Sequence, residues 1–286
     1  MKRPVPPALQ LVALDLDGTL LNSAQDLSPR SEAAVRAIRD RGVRVILASG
    51  RMHASMVPYA RQLQLEEPLI AYNGALVRWD RTGEVLHHIP VPADWALQVM
   101  DFARQESLHL NLYFDDVWYS PADSEWAQLY ARRTRQQPVI RADLYEWAAG
   151  REPTKIICIG PPPRIQAGLQ AWRERARGEL YVTTSEPEYL EFMHPAVSKG
   201  LALQRLCAHL GIPLAQTMAF GDNLNDRPLL EAAGYGVAMG NSAPEVKAVA
   251  DRVTGTNDEE GVAQVLEEWL AQHPCRRNPG KEGLRK

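Results

Sequence analysis

The stretch LVALDLDGTLLNS, residues 11–23, sets two aspartates one residue apart at the end of an apolar run. Leu11, Val12, Ala13 and Leu14 lack the polar alternation of a half-exposed strand and read as a strand buried on both faces. Asp15 and Asp17 follow at once, where paired carboxylates repel. At a separation of about 5 Å and an effective dielectric of about 20, two bare carboxylates cost roughly 3 kcal/mol. A cation between them offsets that cost, so the stretch predicts a buried strand with a cation site at its end.

The flanking chain repeats the pattern. Apolar runs of strand length alternate with helix-period segments, the signature of crossover units on a parallel sheet, so the expected class is α/β. The first strand spans 9–14, and Ser28 with Pro29 supplies the N-cap and first position of a helix that stops at Gly42. A second apolar strand, 43–48, ends in Ser49-Gly50-Arg51, and 53–65 read as helix. A buried strand then reaches Asn73-Gly74, and the chain turns into a hairpin bent at Arg81-Thr82-Gly83. Near the C-terminus come helix 199–210, strand TMAFGD, helix 226–233, strand YGVAMG, helix 244–250, a short strand near Val253 and a helix from 258 to about 272.

Between residues 84 and 192 the character changes. All nine tyrosines but Tyr59, Tyr72 and Tyr235 lie here, and the strands become amphipathic. Such strands suit a sheet covered on one face only. Helices are expected near 93–106, 124–135 and 163–176, with strands around 109–119, 154–160, 180–184 and 189–193. The expected organisation is a core over 1–83, a separate α+β domain over 84–192, a second core segment over 193–273 and a basic, flexible tail over 274–286.

With 286 residues, 45% hydrophobic and 23% charged, the chain has enough apolar material for one large or two medium cores. Its net charge of -3 gives no general electrostatic reason to expect nucleic acid or an anionic membrane as partner. Cys158, Cys207 and Cys275 are odd in number and form no CxxC, which supports neither a disulfide framework nor a zinc site and fits a reducing cytoplasm. MKRPVPPALQ carries prolines in place of a continuous apolar h-region, and no later stretch reaches bilayer length. A soluble, untargeted, cytoplasmic protein is expected.

Asp15, Ser49 and Asp222 each close a buried strand, and open parallel sheets bind ligands at the carboxyl ends of their strands. Asp15 and Asp17, at positions i and i+2 of an extended chain, share a face, and Asp222 can join them. Three carboxylates and no soft ligand describe a hard-cation site, with Mg²⁺ the best match. Lys199 at a helix start, Ser49 with the backbone amides of Gly50 and Arg51 ahead of a helix, and Asn73-Gly74 at a strand end add anion-binding groups. Together they describe a phosphate trap around a nucleophile, as in phosphoryl transfer through an aspartyl phosphate. Asp15 would attack, and Asp17 would protonate the leaving alkoxide and later deprotonate water.

DLDGT at 15–19, ASGR at 48–51, SKG at 198–200 and GDNLND at 221–226 resemble the four ordered motifs of the haloacid dehalogenase superfamily. Their context, with NGA at 73–75 and VAMGNS at 237–242, resembles its Cof-type sugar phosphatase branch, subfamily IIB. The resemblance implies a Rossmann-like parallel-sheet core with an inserted α+β cap of type C2 over residues 84–192. It also implies a Mg²⁺-dependent phosphatase acting on a small phosphorylated metabolite, a sugar phosphate at the level of the family. By the same resemblance Asp15 is the nucleophile and Asp17 the acid/base, while Ser49 and Lys199 bind phosphate. Mg²⁺ is then held by Asp15, the backbone carbonyl of Asp17 and Asp222; Asn225 lies near the phosphate and Asp226 supports the metal shell. Ser49 stands where threonine is commoner but keeps the hydroxyl, and Pro228 falls in the first turn of a helix, where it is tolerated.

Each motif alone is an ordinary turn or helix entry; their order and spacing carry the reading. The rivals are a phosphomutase and a non-catalytic module that senses phosphate and Mg²⁺, and the latter has no need of Asp17 as a leaving-group acid. His53, His87, His88 and His109 read as core or surface histidines, with His194 a candidate hinge contact. Tyr113, Trp118, Tyr119 and Trp126 read as domain core before pocket lining. Arg132, Arg133 and Arg135 read as a solvated helix face.

Overall fold

Leu11–Leu14 forms a wholly buried interior strand of a five-stranded sheet, next to the middle one. The computed structural model describes residues 2–274, and the chain divides into two units, one running to Ile46 and resuming at Gly211, the other spanning Leu47–Leu210.

In the first unit the strand order is Arg252–Val253, Tyr235–Ala238, Thr217–Gly221, Leu11–Leu14, Arg44–Leu47. Leu11–Leu14 pairs in parallel with Thr217–Gly221, which pairs in parallel with Tyr235–Ala238. From Leu11–Leu14 the chain winds one way to Arg44–Leu47; from Thr217–Gly221 it winds the other way. The two central strands therefore flank a topological switch point, the place where such sheets bind ligands. The helix Pro29–Arg39 starts as its sequence requires: Ser28 accepts from the Ser31 amide, Pro29 takes the first position, and Gly42 follows the end with φ of 80°. It buries Ala34, Val35 and Ile38 and packs against the helix Gly261–Gln272. Each large aliphatic side chain so covered contributes roughly 1.5–3 kcal/mol. That last helix begins at Gly261 instead of 258, because Glu260 adopts φ of 59° and Asp258 turns aside to accept from the amide and hydroxyl of Ser23.

In the second unit Leu69–Ala71, Leu76–Arg78 and Val85–His88 form an antiparallel sheet, with the expected bend at Arg81–Gly83 and a tighter turn at Tyr72–Gly74. A six-stranded sheet follows, in the order Tyr181–Thr183, Tyr189–Met193, Lys155–Ile159, His109–Phe114, Val117–Ser120, Val139–Ile140. The single strand expected over 109–119 is two strands, broken by a two-residue turn at Asp115-Asp116. The helix Leu144–Ala148 and the strand Val139–Ile140 were not legible in the sequence.

Burial of this sheet also departs from expectation. One face packs Leu110, Leu112, Ile156, Leu190 and Phe192 against Val99, Ile165 and Trp172 of the helices Ala93–Gln105 and Pro162–Arg175. The other face is buried as well, including Asn111, Tyr113, Trp118, Lys155 and Glu191. The helix Glu125–Thr134 covers it, setting Tyr130 5.1 Å from Trp118 and 5.3 Å from Tyr189. The two charged residues survive there because they pair with each other: Lys155 Nζ lies 2.8 Å from a Glu191 oxygen. Polar alternation thus records internal pairing here, not solvent.

Among the described residues no helix is long and apolar enough to cross a membrane, and Cys158 and Cys207 are free, buried thiols. Cys275 and the expected tail from residue 275 lie outside the described residues.

Candidate active site

The Asp15 amide donates to the Phe220 carbonyl at 3.2 Å, which sets Asp15 at the strand end beside the one that delivers Asp222. One carboxylate oxygen from each of Asp15, Asp222 and Asp226 lies within 4.8 Å of the other two. Asp15 and Asp226 are buried, so their mutual repulsion is poorly screened. The loops around them hold the groups in place. The Thr19 hydroxyl donates to Asp222 Oδ1 at 2.9 Å, and the amides of Asp222 and Asn223 both donate to Asp226 Oδ2 at 3.0 Å. Gly18 has φ of 73°, and a Cβ there would sit 2.5 Å from Asp222 Oδ2. A Cβ on Gly221 would meet that of Asp226 at 2.4 Å. Asn241 donates from its side chain to the Gly18 carbonyl at 2.8 Å, bracing the loop from the other side.

The third carboxylate of this cluster is Asp226, not Asp17. The loop after Asp15 is not extended: the Leu20 amide donates to the Asp15 carbonyl at 3.3 Å and the Leu21 amide to that of Leu16 at 2.9 Å. Asp17 is half-buried and bridged to Leu21. The clustered donors are all carboxylate oxygens, a set that fits a hard cation such as Mg²⁺.

The second unit holds the other expected residues. Ser49 is buried; its amide donates to the Ile70 carbonyl at 2.8 Å and its carbonyl accepts from Asn73 at 2.9 Å. A Cβ on Gly50 would lie 3.0 Å from Asn73 Oδ1. Gly74 has φ of 100°, and a Cβ there would stand 2.5 Å from the Ser198 carbonyl oxygen, immediately before the helix Lys199–Leu210. Ser49, Gly50, Asn73 and the start of the lysine helix are therefore neighbours. Lys199 is 1% exposed; a buried ammonium at a helix N-terminus is disfavoured by desolvation and by the helix dipole, so the position demands negative partners. Contrary to expectation the Arg51 amide is not open, since it donates to Ser49 Oγ at 3.2 Å. The Arg51 guanidinium lies against the helix that follows it, His53–Gln62, 5.4 Å from the centroid of Tyr59.

In the first unit Asn225 lies in the short turn Leu224–Asp226, beside the Asn223 cap. Thr19 and Asn241 stand inside recognisable motifs, yet only the fold assigns them contacts. Pro228 occupies the first turn of the helix Arg227–Ala232, as expected.

A family model described as haloacid dehalogenase-like hydrolase matches residues 12–266. The chain is 32% identical over 286 residues to Phosphatase YwpJ of Bacillus subtilis (strain 168), covering 92% of this chain and 100% of that protein. It is 32% identical over 266 residues to Pyridoxal phosphate phosphatase YbhA of Escherichia coli (strain K12), covering 90% and 97%. Among solved structures, a haloacid dehalogenase-like hydrolase from Bacteroides thetaiotaomicron superposes with a TM-score of 0.84 at 29% identity, covering 91% of this chain and 99% of that one. A match over nearly the whole α/β pattern, joined to the acidic cluster at its switch point, shows that the chain belongs to the haloacid dehalogenase-like hydrolases, in their Cof-type branch.

Proposed function

We propose that this hydrolase is a Mg²⁺-dependent phosphomonoesterase that acts on a small phosphorylated metabolite through a phosphoryl group carried by Asp15. The observation that carries the reading is the gathering of Asp15, Asp222 and Asp226 within 4.8 Å beside the switch point of the sheet. Asp15, Asp222 and the backbone carbonyl of Asp17 would hold the metal, with Asp226 behind them. When bound, Mg²⁺ supplies positive charge that keeps the carboxylates ionised and favours the phosphoryl dianion.

Asp15 attacks phosphorus; the bond to the leaving alkoxide breaks, and Asp17 gives that oxygen its proton. Asp17 then takes a proton from water, whose oxygen attacks phosphorus and releases inorganic phosphate, restoring the Asp15 carboxylate. The Ser49 hydroxyl, the loop through Gly50 and Arg51, the Asn73 and Asn225 side chains and the Lys199 ammonium bind the phosphoryl oxygens. The order of the four motifs along the chain supports these roles. Residues 84–192 serve as the cap that selects the organic part. A sugar phosphate is the favoured substrate class, and the name of YbhA adds pyridoxal phosphate as a second compound to assay. The cysteine pattern supports a cytoplasmic location.

The test is release of p-nitrophenol from p-nitrophenyl phosphate with Mg²⁺, then with EDTA, then by Asp15→Asn. Metal-dependent release lost in the variant is expected; release indifferent to EDTA, or full activity in Asp15→Asn, overturns the reading. A panel of phosphorylated sugars, polyols and pyridoxal phosphate then identifies the substrate.

A further inference from the structure

One hairpin of the six-stranded sheet carries an aspartate where the backbone favours glycine. Phe114 pairs with Val117, leaving Asp115 and Asp116 as the turn, with φ of 53° and 63°. A two-residue turn with both φ positive strongly prefers glycine at its second position. Turn tips are ordinarily solvated, yet the Asp116 side chain is only 8% exposed. Its carboxylate is occupied by groups outside the hairpin. Oδ1 accepts from the Tyr72 hydroxyl at 2.9 Å, and Oδ2 accepts from the Ala54 amide at 2.8 Å. His53 Nδ1 lies 3.5 Å from the same Oδ2, and its other ring nitrogen is 3.2 Å from the Arg78 carbonyl.

The two donors, one a side-chain hydroxyl and one a backbone amide, belong to the segments that shape the Ser49 and Asn73 neighbourhood. Ala54 sits in the first turn of His53–Gln62, a helix whose N-cap residue Met52 makes no side-chain cap. Asp116 caps it from a distant point in the sequence. Tyr72, Asn73 and Gly74 are three consecutive left-handed residues, with φ of 50°, 57° and 100°. A buried aromatic residue in that region is strained and persists only where its surroundings hold it. Tyr72 is held at the hydroxyl by Asp116 and at the ring by the edge-on ring of Tyr113, 5.6 Å away. Burial and the Asp116 charge push the Tyr72 hydroxyl well above the ordinary tyrosine range, so it stays a donor.

We infer that Asp116 is a positioning residue for phosphate binding: its carboxylate locks the strained Tyr72-Asn73-Gly74 turn and the start of the helix after Ser49. Phosphate affinity then depends on the seating of a hairpin from the inserted sheet. The inference rests on the proposed phosphate-binding role of Ser49 and Asn73.

The experiment measures inhibition by inorganic phosphate, with KM and kcat for p-nitrophenyl phosphate, in the full chain. Asp116→Ala is expected to raise the phosphate inhibition constant and KM about tenfold, the effect of losing charge-assisted hydrogen bonds, with a smaller change in kcat. Asp116→Asn, which still accepts hydrogen bonds, recovers part of that loss. Tyr72→Phe weakens inhibition too, and the double variant Asp116→Ala/Tyr72→Phe loses less than the two single effects combined. An inhibition constant unchanged in Asp116→Ala, or effects that simply add, overturns the inference even if thermal stability falls. Should Asp116→Ala fail to fold, Asp116→Asn and Tyr72→Phe decide on the same readout. Asn73→Ala separates the two levels: unchanged inhibition there overturns the phosphate-binding reading, whereas weakened inhibition there with none in Asp116→Ala overturns only the role of Asp116.

Discussion

The Thr19 hydroxyl donates to Asp222 Oδ1 at 2.9 Å, tying the loop after one central strand to the end of its neighbour. In the proposed metal site a donor on one oxygen would orient the carboxylate, and loss of such a partner typically costs about 10–100-fold in metal affinity. Thr19→Val keeps the shape and removes the donor. Calorimetric titration with Mg²⁺ is expected to show weakening in that range; equal affinity in the variant refutes the assignment.

Gly18 is needed for two reasons, its φ of 73° and the 2.5 Å approach of its missing Cβ to Asp222 Oδ2. Left-handed backbone costs other residues roughly 1–2 kcal/mol, and the clash displaces a carboxylate of the cluster. Gly18→Ala is expected to retain its circular dichroism spectrum while phosphatase activity falls at least about tenfold. Wild-type activity in this variant argues against the cluster as the reacting centre.

Lys155 and Glu191 form an ion pair at 2.8 Å with side chains 7% and 5% exposed. Removing one partner strands the other charge, which costs about 3–5 kcal/mol, whereas replacing both with apolar residues of similar volume is often neutral. In urea unfolding Lys155→Met is expected to lose stability in that range, and Lys155→Met/Glu191→Leu to recover most of it.

His87 titrates at about 4, lowered first by burial, then by the charges of Arg205 and His88. Its ordinary value is 6.5, so between those limits the unfolded chain binds more protons than the folded one. Stability attributable to this group is therefore lost as pH falls through that window. Histidine proton resonances followed by NMR should show His87 titrating near 4, and moving upward in Arg205→Ala. A wild-type midpoint near 6.5 contradicts the assignment.

The parts of the fold legible in the sequence are those set by local pattern. Leu11–Leu14 announced itself by an unbroken apolar run, and Lys199–Leu210 formed over the expected residues. Asp15 and Asp222 were legible as strand ends on a switch-point sheet. Asp226 was expected only through the family resemblance, as support for the metal shell; its place in the carboxylate cluster depends on a capped turn whose amides grip one of its oxygens. In the inserted sheet, Lys155 and Glu191 carried the signal of a solvent face while pairing inside the protein. Asp116 was hidden for a related reason: a polar residue in a strand run looks solvated until its distant partners are placed.

Asp15 is held to form the covalent bond to phosphorus, and acid quenching of the enzyme during turnover reports that bond most directly. Mass spectrometry of the digested, quenched protein is expected to find a phosphoryl group on the peptide that contains Asp15, and none in Asp15→Asn. Phosphoryl trapped on another peptide, or turnover by the Asn variant at the wild-type rate, contradicts the mechanism.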